Sequence, residues 1–381
     1  MNSITRGGLH AGAFLGPFGG GLTVAMLPEL GASFGVPAGT AALAVTAYML
    51  PFAAVMVVSG TLGERWGRRR TVVTAYGVYA LAALACVLAP TLPLFLAATA
   101  VLGAANAFTT PLLMAVLAAT VPGDRLGRAL GWFAAMQAAG STSAPLVGGL
   151  VAEADWRLAF AGVAVVTVAL ALIGIPADPT AGGEPPGIRA ALRPAVLRAG
   201  LAAAVGWGCL MGLGFLVALR LDEHFHAGAG PRGLVLTAAG VAGILTARLV
   251  GGAVDRTGTR GSVLAGAGLG ALAIAAVGAL PALWMVALAW AVGGVATQLV
   301  LVAVNALVLG AGRGAGGAVS LVQALRFGGG ALSPVAFTPI YHADPMIGFL
   351  LPAVLLATVV PIVLPRRPSA VTQVGRGRSR V

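Results

Sequence analysis

Apolar residues in this chain do not alternate with polar ones; they run on for about 20 positions at a time, broken by short polar punctuation. Such runs recur near 9–28, 40–59, 71–89, 94–121, 128–151, 158–176, 197–219, 234–254, 262–280, 282–309, 316–340 and 346–364. Each is long enough to cross the ~30 Å hydrocarbon layer as a helix. Strands of a membrane barrel would be about 9–11 residues with alternating polarity, a pattern missing here. With no water in the bilayer core, backbone polar groups must be satisfied within each segment, so the runs predict α-helices. The expected fold is all-α and integral to the membrane, with twelve transmembrane helices. The first run lacks a long basic leader and a small-residue cleavage site, and reads as an uncleaved first helix.

Composition reinforces this picture. Of 381 residues, 59% are hydrophobic and 9% charged, too little charge to cover a soluble protein of this size. The net charge of +12 is scattered over short connections and a tail without interleaved aromatic residues, so membrane topology explains it better than nucleic-acid binding. There is no lysine, so all 23 basic residues are arginines. Arg157, Arg220 and Arg232 fall in odd-numbered connections, Arg248 and Arg326 within spans, and the other eighteen at the termini and even-numbered connections. That bias places both termini in the cytoplasm and makes the chain a multi-pass plasma-membrane protein. The Pro- and Gly-rich stretch 177–196 divides it into six helices (1–176) and six more (197–365), followed by a basic tail, 366–381. Cys86 and Cys209 lie inside apolar runs and read as packing residues.

Charge concentrates in "GTLGERWGRRR", residues 60–70, and returns in thinner form as "GGAVDRTGTR", residues 251–260. Gly60 pairs with Gly251, Glu64 with Asp255, Arg65 with Arg256, Gly67 with Gly258 and Arg69 with Arg260, all at one spacing and after the second helix of each half. The halves therefore read as parallel structural repeats, with a cavity expected at their interface.

Here the sequence resembles the major facilitator superfamily over almost its whole length. The loop signature of that family, G-x-L-x-[DE]-R-x-G-R-[RK], is met by Gly60, Leu62, Glu64, Arg65, Gly67, Arg68 and Arg69. "MLPELGASFGV", "AYML" and "LVGGLVAEADWRLAF" agree with it. The resemblance implies two six-helix bundles and a conformational latch in which Glu64 docks on the cytoplasmic start of helix 11, here residues 312–319. The glycines of the loop permit tight turns and close approach. Topology alone would account for the arginines.

Helix 5 carries "GSTSAPLVGG", residues 140–149, which resembles the helix-5 pattern of drug–proton antiporters in that family. Gly140, Pro145, Gly148 and Gly149 match, while Ala144 stands in place of a glycine. Proline kinks a helix, and small residues let another approach, so helix 8 with Gly243, Ala247 and Gly251 on one face is the expected partner. The exporter arginine of helix 4 is replaced by Thr99, which removes that route of proton coupling.

No acid falls at mid-membrane on these spans. Glu29 and Asp222 are the candidates for proton coupling; the alternative is that both are solvated helix-end charges. Arg326, in the middle of helix 11, would cost about 2.5–3.5 kcal/mol to insert, so it should face a cavity or a partner. With Tyr48, Asn106, Gln137, Trp207, Gln298, Asn305 and Gln323 it forms the candidate substrate set, each residue being open to a purely structural reading. The expected function is secondary active transport by alternating access: proton-coupled efflux of a small amphipathic organic compound by a monomer in the lipid bilayer. Alternatives are an importer or facilitator of an organic anion, or a receptor on a transporter fold. No enzyme constellation, cofactor site or metal spacing is read from the sequence, and no nucleic acid is expected as a partner.

Overall fold

The computed structural model describes residues 3–175, 193–309 and 315–364. Among them every regular element is helical. In chain order the rods are α1 (Gly7–Phe34), α2 (Ala38–Trp66), α3 (Arg68–Leu88), α4 (Leu92–Thr120), α5 (Gly123–Ala152), α6 (Trp156–Ile173) and α7 (Pro194–Glu223). Ala229–Ala279 is one bent rod whose arms, α8 (229–257) and α9 (259–279), meet at Gly258. Then follow α10 (Leu283–Leu309), α11 (Ala315–Ala343) and α12 (Pro345–Val363). Together these are twelve membrane-length rods in two halves of six. The expected linker 177–196 falls mostly, and the tail 366–381 wholly, outside the described residues.

The repeat is visible in covalent and packing detail. Gly67 has φ +87° and Gly258 φ +74°, a left-handed backbone that glycine adopts at no steric cost, and each ends one rod and begins the next. Thr71 Oγ1 donates to the Gly67 carbonyl at 3.0 Å, and Ser262 Oγ donates to that of Gly258 at 3.0 Å. Gly103 on α4 lies against the Tyr48 carbonyl of α2, as Gly294 on α10 lies against the Ala239 carbonyl of α8. Asp155 and Asp344 cap α6 and α12 alike, accepting from Arg157 N at 2.9 Å and Met346 N at 2.8 Å.

Leu81 on α3, Leu172 on α6, Leu272 on α9 and Ile362 on α12 are each at least 70% exposed, the side that lipid covers. α5 and α11 are not among the stretches apolar enough to pass as spans by hydropathy, because Ser, Thr, Gly, Gln and Arg interrupt them. Both lie on the seam between the halves, α5 against α8 and α11 against α2. Four further rods are not continuous α-helix: α1 passes through a 3₁₀ turn at Leu22–Met26 and α7 through one at Met211–Leu213, while α2 breaks at Ala42 and α4 at 107–108.

Candidate functional site

The two ends of the bundle differ. At the end away from the termini, the far end, the halves are joined. Arg232, in the first turn of α8, is 1% exposed. Its Nη1 donates to Asp222 Oδ1 at 2.6 Å and to the Ala227 carbonyl at 2.8 Å, and its Nε to the Ala25 carbonyl at 3.1 Å. Its Nη2 forms an ion pair with Glu29. Glu29 and Ala25 belong to the first half, Asp222 and Ala227 to the second, so one guanidinium ties the two together. By hydropathy the apolar run begins at 234, which puts Arg232 in a connection. The helix begins at Ala229, and the arginine lies inside the packed rod, capped by the end of α1. Glu29 and Asp222 are accordingly partners of a buried cation, their own side chains remaining 27% and 34% exposed.

Other bonds extend this seam. Glu153 Oε1 accepts from Gly230 N at 3.1 Å, and Thr46 Oγ1 donates to the Ala331 carbonyl at 2.6 Å. Gly149 lies on the Ala229 carbonyl and Gly233 on that of Pro145, so α5 and α8 touch backbone to backbone. Gly140 and Gly148 admit the carbonyls of Phe14 and Leu22 on α1. Helix 8 is thus the partner of helix 5, but not through the expected face. Gly243 packs on Gln298 of α10, Gly251 has open space beside it, and Gly233 and Gly240 make the contact instead.

At the arginine-rich end several glycines have open space beside them. Gly60, Gly127, Gly131, Gly251 and Gly252 have no atom within 4 Å of where a Cβ would stand. Of the loop glycines, Gly67 makes the turn, while Gly60 is an ordinary helical residue within α2. Glu64 is bound to Arg68 of the next rod at 2.6 Å, with its second oxygen buried and unpartnered. Arg65, Arg69, Asp255 and Arg256 are exposed, and Arg260 is half-buried. Residues 310–314 are outside the described residues, and with them the expected docking of Glu64 on the start of helix 11.

Between the two ends a small cavity of about 10 Å³ lies in the second half, among α7, α10 and α11. Trp207, Thr297, Asn305, Gln323 and Arg326 line it with small aliphatic residues. Arg326 is 8% exposed, forms no hydrogen bond among the described residues, and has its Cζ 4.4 Å from the Trp207 ring and 4.3 Å from the Phe327 ring. Phe327 meets Phe52 of α2 edge-on, centroids 4.9 Å apart, and Phe52 stacks on Tyr48 at 6.2 Å. A file of aromatic rings therefore crosses the seam beside the arginine.

The other four candidates do not line this cavity. Asn106 donates to the Gly16 carbonyl at 3.0 Å and to Tyr48 Oη at 2.8 Å, and accepts from Thr109 at 2.8 Å, a network joining α1, α2 and α4. Gln298 lies against Gly243, and Gln137 is half-buried outside the cavity lining. Trp207, Asn305, Gln323 and Arg326 are thus brought together, while Tyr48, Asn106, Gln137 and Gln298 are not. Thr297, absent from the sequence-derived set, joins the first four; on α10 it lies a turn or two from Asn305, the spacing that would have found it. Thr99 donates to the Phe95 carbonyl at 2.7 Å within its own helix.

Two pseudo-symmetric six-helix halves, packed on each other at the far end and with a small cavity in the second half, define a polytopic helical membrane protein. Residues 9–334 match the Major Facilitator Superfamily, and the chain belongs to that family of transporters. It is 35% identical over 119 residues to the drug efflux pump JefA of Mycobacterium tuberculosis, covering 31% of this chain and 23% of that protein. It is 37% identical over 118 residues to the methylenomycin A resistance protein of Streptomyces coelicolor, covering 30% and 25%. These matches span about a quarter of the length of the curated relatives. Among solved structures the fold is similar to that of a D-xylose–proton symporter, with a TM-score of 0.74, 13% identity and coverage of 94% and 98% of the two chains. It is likewise similar to a bacterial homolog of the human lysosomal transporter Spinster, with a TM-score of 0.72, 16% identity and coverage of 96% and 93%.

Proposed function

We propose that this transporter exports a small amphipathic organic compound across the plasma membrane by alternating access, with protons as the coupling ion. The observation that carries the reading is the asymmetry of the seam: backbone-to-backbone contact and a buried ion cluster at the far end, open space at the arginine-rich end. With the arginine-rich end in the cytoplasm, as the charge bias directs, this conformer faces inward. The halves 1–176 and 197–365 then rock about the cavity. Arg232, Glu29 and Asp222 form the outer gate, and the loop 60–70 with its counterpart 251–260 forms the inner latch once the cytoplasmic ends meet. Export is supported by the Gly140, Pro145, Gly148 and Gly149 pattern and by the drug-efflux and resistance names of the relatives.

Glu29 and Asp222 share one guanidinium, which leaves the cluster one negative charge in excess. When the halves part at that end, Arg232 keeps Asp222, on its own half, and releases Glu29. The freed carboxylate is the proposed proton acceptor. Cells with and without the protein, loaded with matched anionic, neutral and cationic amphipathic compounds, supply the test. Lower retention of one class, restored when the proton gradient is dissipated, is the expected result. Retention that is equal for all three classes, or that does not respond to the gradient, would overturn coupled export.

A further inference from the structure

The cavity between α7, α10 and α11 holds a guanidinium and, among the described residues, no acid in its lining. Glu29, Asp222 and Glu223 are at the far end and Glu64 at the arginine-rich end, so none stands at the depth of Arg326. Insertion of such a cation costs about 2.5–3.5 kcal/mol, and among the described residues no carboxylate stands beside it to offset this. The Nε–H of Arg326 is buried without an acceptor, and one turn earlier on the same helix Gln323 Oε1 is buried without a donor. Both residues line the same cavity.

Ring geometry shows which side is left open. The centroids of Trp207 and Phe327 are 5.8 Å apart, and each is close to 4.4 Å from Cζ, so they subtend about a right angle there. They cannot cover opposite faces of the guanidinium. They form a corner of apolar surface on one side, and the cavity beside the arginine measures about 10 Å³ in this conformer, room for a single water, so a ligand enters only as the cavity widens. A planar carboxylate matches the donor fork of arginine in geometry and charge.

We propose that the cavity binds an amphipathic organic anion. Its carboxylate accepts from Arg326, whose guanidinium fills the corner of Trp207 and Phe327, an adjoining hydroxyl or N–H reaches Gln323, and its apolar body lies against Val300, Leu301 and Val304 of the lining. A cation meets like charge at this position, and a neutral amide leaves the arginine uncompensated. The proposal rests on the reading of this cavity as the substrate site. It also ties recognition to the seam, because Phe327 touches Phe52 of the other half.

The experiment uses the full chain in nanodiscs of neutral lipid and three probes of one shape: naphthalene-2-carboxylate, naphthalene-2-carboxamide and 2-naphthylmethylammonium, each in equilibrium dialysis. The carboxylate is expected to bind at least tenfold more tightly than the carboxamide, and the ammonium most weakly. In Arg326→Gln that preference disappears; in Arg326→Lys, which keeps the charge but not the planar fork, it is intermediate. A carboxylate bound no tighter than the carboxamide, no binding of any probe, or a preference that survives Arg326→Gln would overturn the proposal. The wild-type ranking needs no variant to fold. A chain that alternates between its two ends yet shows no anion preference would overturn this inference alone, and one that prefers anions without transporting them would overturn the transport reading alone.

Discussion

A methyl group added at Gly103 would meet the carbonyl oxygen of Tyr48, and one added at Gly294 would meet that of Ala239. Neither carbonyl can yield without moving a helix, so Gly103→Ala and Gly294→Ala should each cost about 1–3 kcal/mol, the scale of overpacking. Gly77 has nothing within 4 Å, and Gly77→Ala should be neutral or stabilising by up to about 1 kcal/mol from helix propensity. Thermal unfolding of the three variants in detergent decides it; a Gly103→Ala midpoint equal to that of Gly77→Ala would mean that the contact has no energetic weight. At this scale the sequence was legible where the same residue type recurs at the same place in both halves. Gly67 and Gly258 were paired by spacing, and both have the left-handed backbone that only glycine takes freely. Arg232 was not legible. Hydropathy marks where a run becomes apolar, and the first turn of α8 contains Pro231 and Arg232 before that happens. What buries the arginine is the end of α1, more than 200 positions away in the chain (Arg232 to Glu29).

Helices as units came out of the sequence with their order and number, because a ~30 Å apolar layer leaves few ways to place a run of about 20 apolar residues. The partnership of α5 with α8 was also legible from small residues, but the contacting face was not. Helical spacing tells which residues share a stripe, while the rotation and axial shift that choose one stripe over another come from packing. The 3₁₀ turns at Leu22–Met26 and Met211–Leu213 escaped for a related reason: their residues are apolar throughout, and polarity does not report hydrogen-bond register. The α5–α8 seam makes its own prediction. In Gly233→Ala the added methyl would strike the Pro145 carbonyl of the other half, a clash present only while the far end is closed. A cost of about 1–3 kcal/mol to that conformer shifts the equilibrium by roughly 5- to 150-fold toward an open far end. A cysteine at Val24, beside Gly214 in the closed seam, should then react faster with an impermeant maleimide. An unchanged rate would show that the seam does not set the equilibrium.

The molecule as a whole is two six-helix bodies held together at the far end by the Arg232 ion cluster, the α5–α8 backbone contacts and the Glu153–Gly230 and Thr46–Ala331 bonds. The cavity set was only half legible, because polar residues at mid-span serve two purposes that a sequence does not separate. Tyr48 and Asn106 spend their hydrogen bonds holding the first half together, while Gln323 and Arg326 keep unpaired atoms beside a cavity. What distinguishes them is partnership in three dimensions. The central claim, that the far end closes when the arginine-rich end opens, is tested most directly by two distances in one protein. Spin labels at Ala32 and His224 report the far end, and labels at Arg128 and Arg248 the arginine-rich end; all four positions are exposed, and native Cys86 and Cys209 are buried. Glu29→Gln removes the charge that Arg232 holds across the seam, a charge-assisted bond of about 1.5–3 kcal/mol, which is roughly a 10- to 150-fold change in the gate equilibrium. The account predicts that in Glu29→Gln the Ala32–His224 distance lengthens and the Arg128–Arg248 distance shortens in the same fraction of molecules. A far-end distance that lengthens while the other stays unchanged, or two distances that both stay as they are, would contradict it.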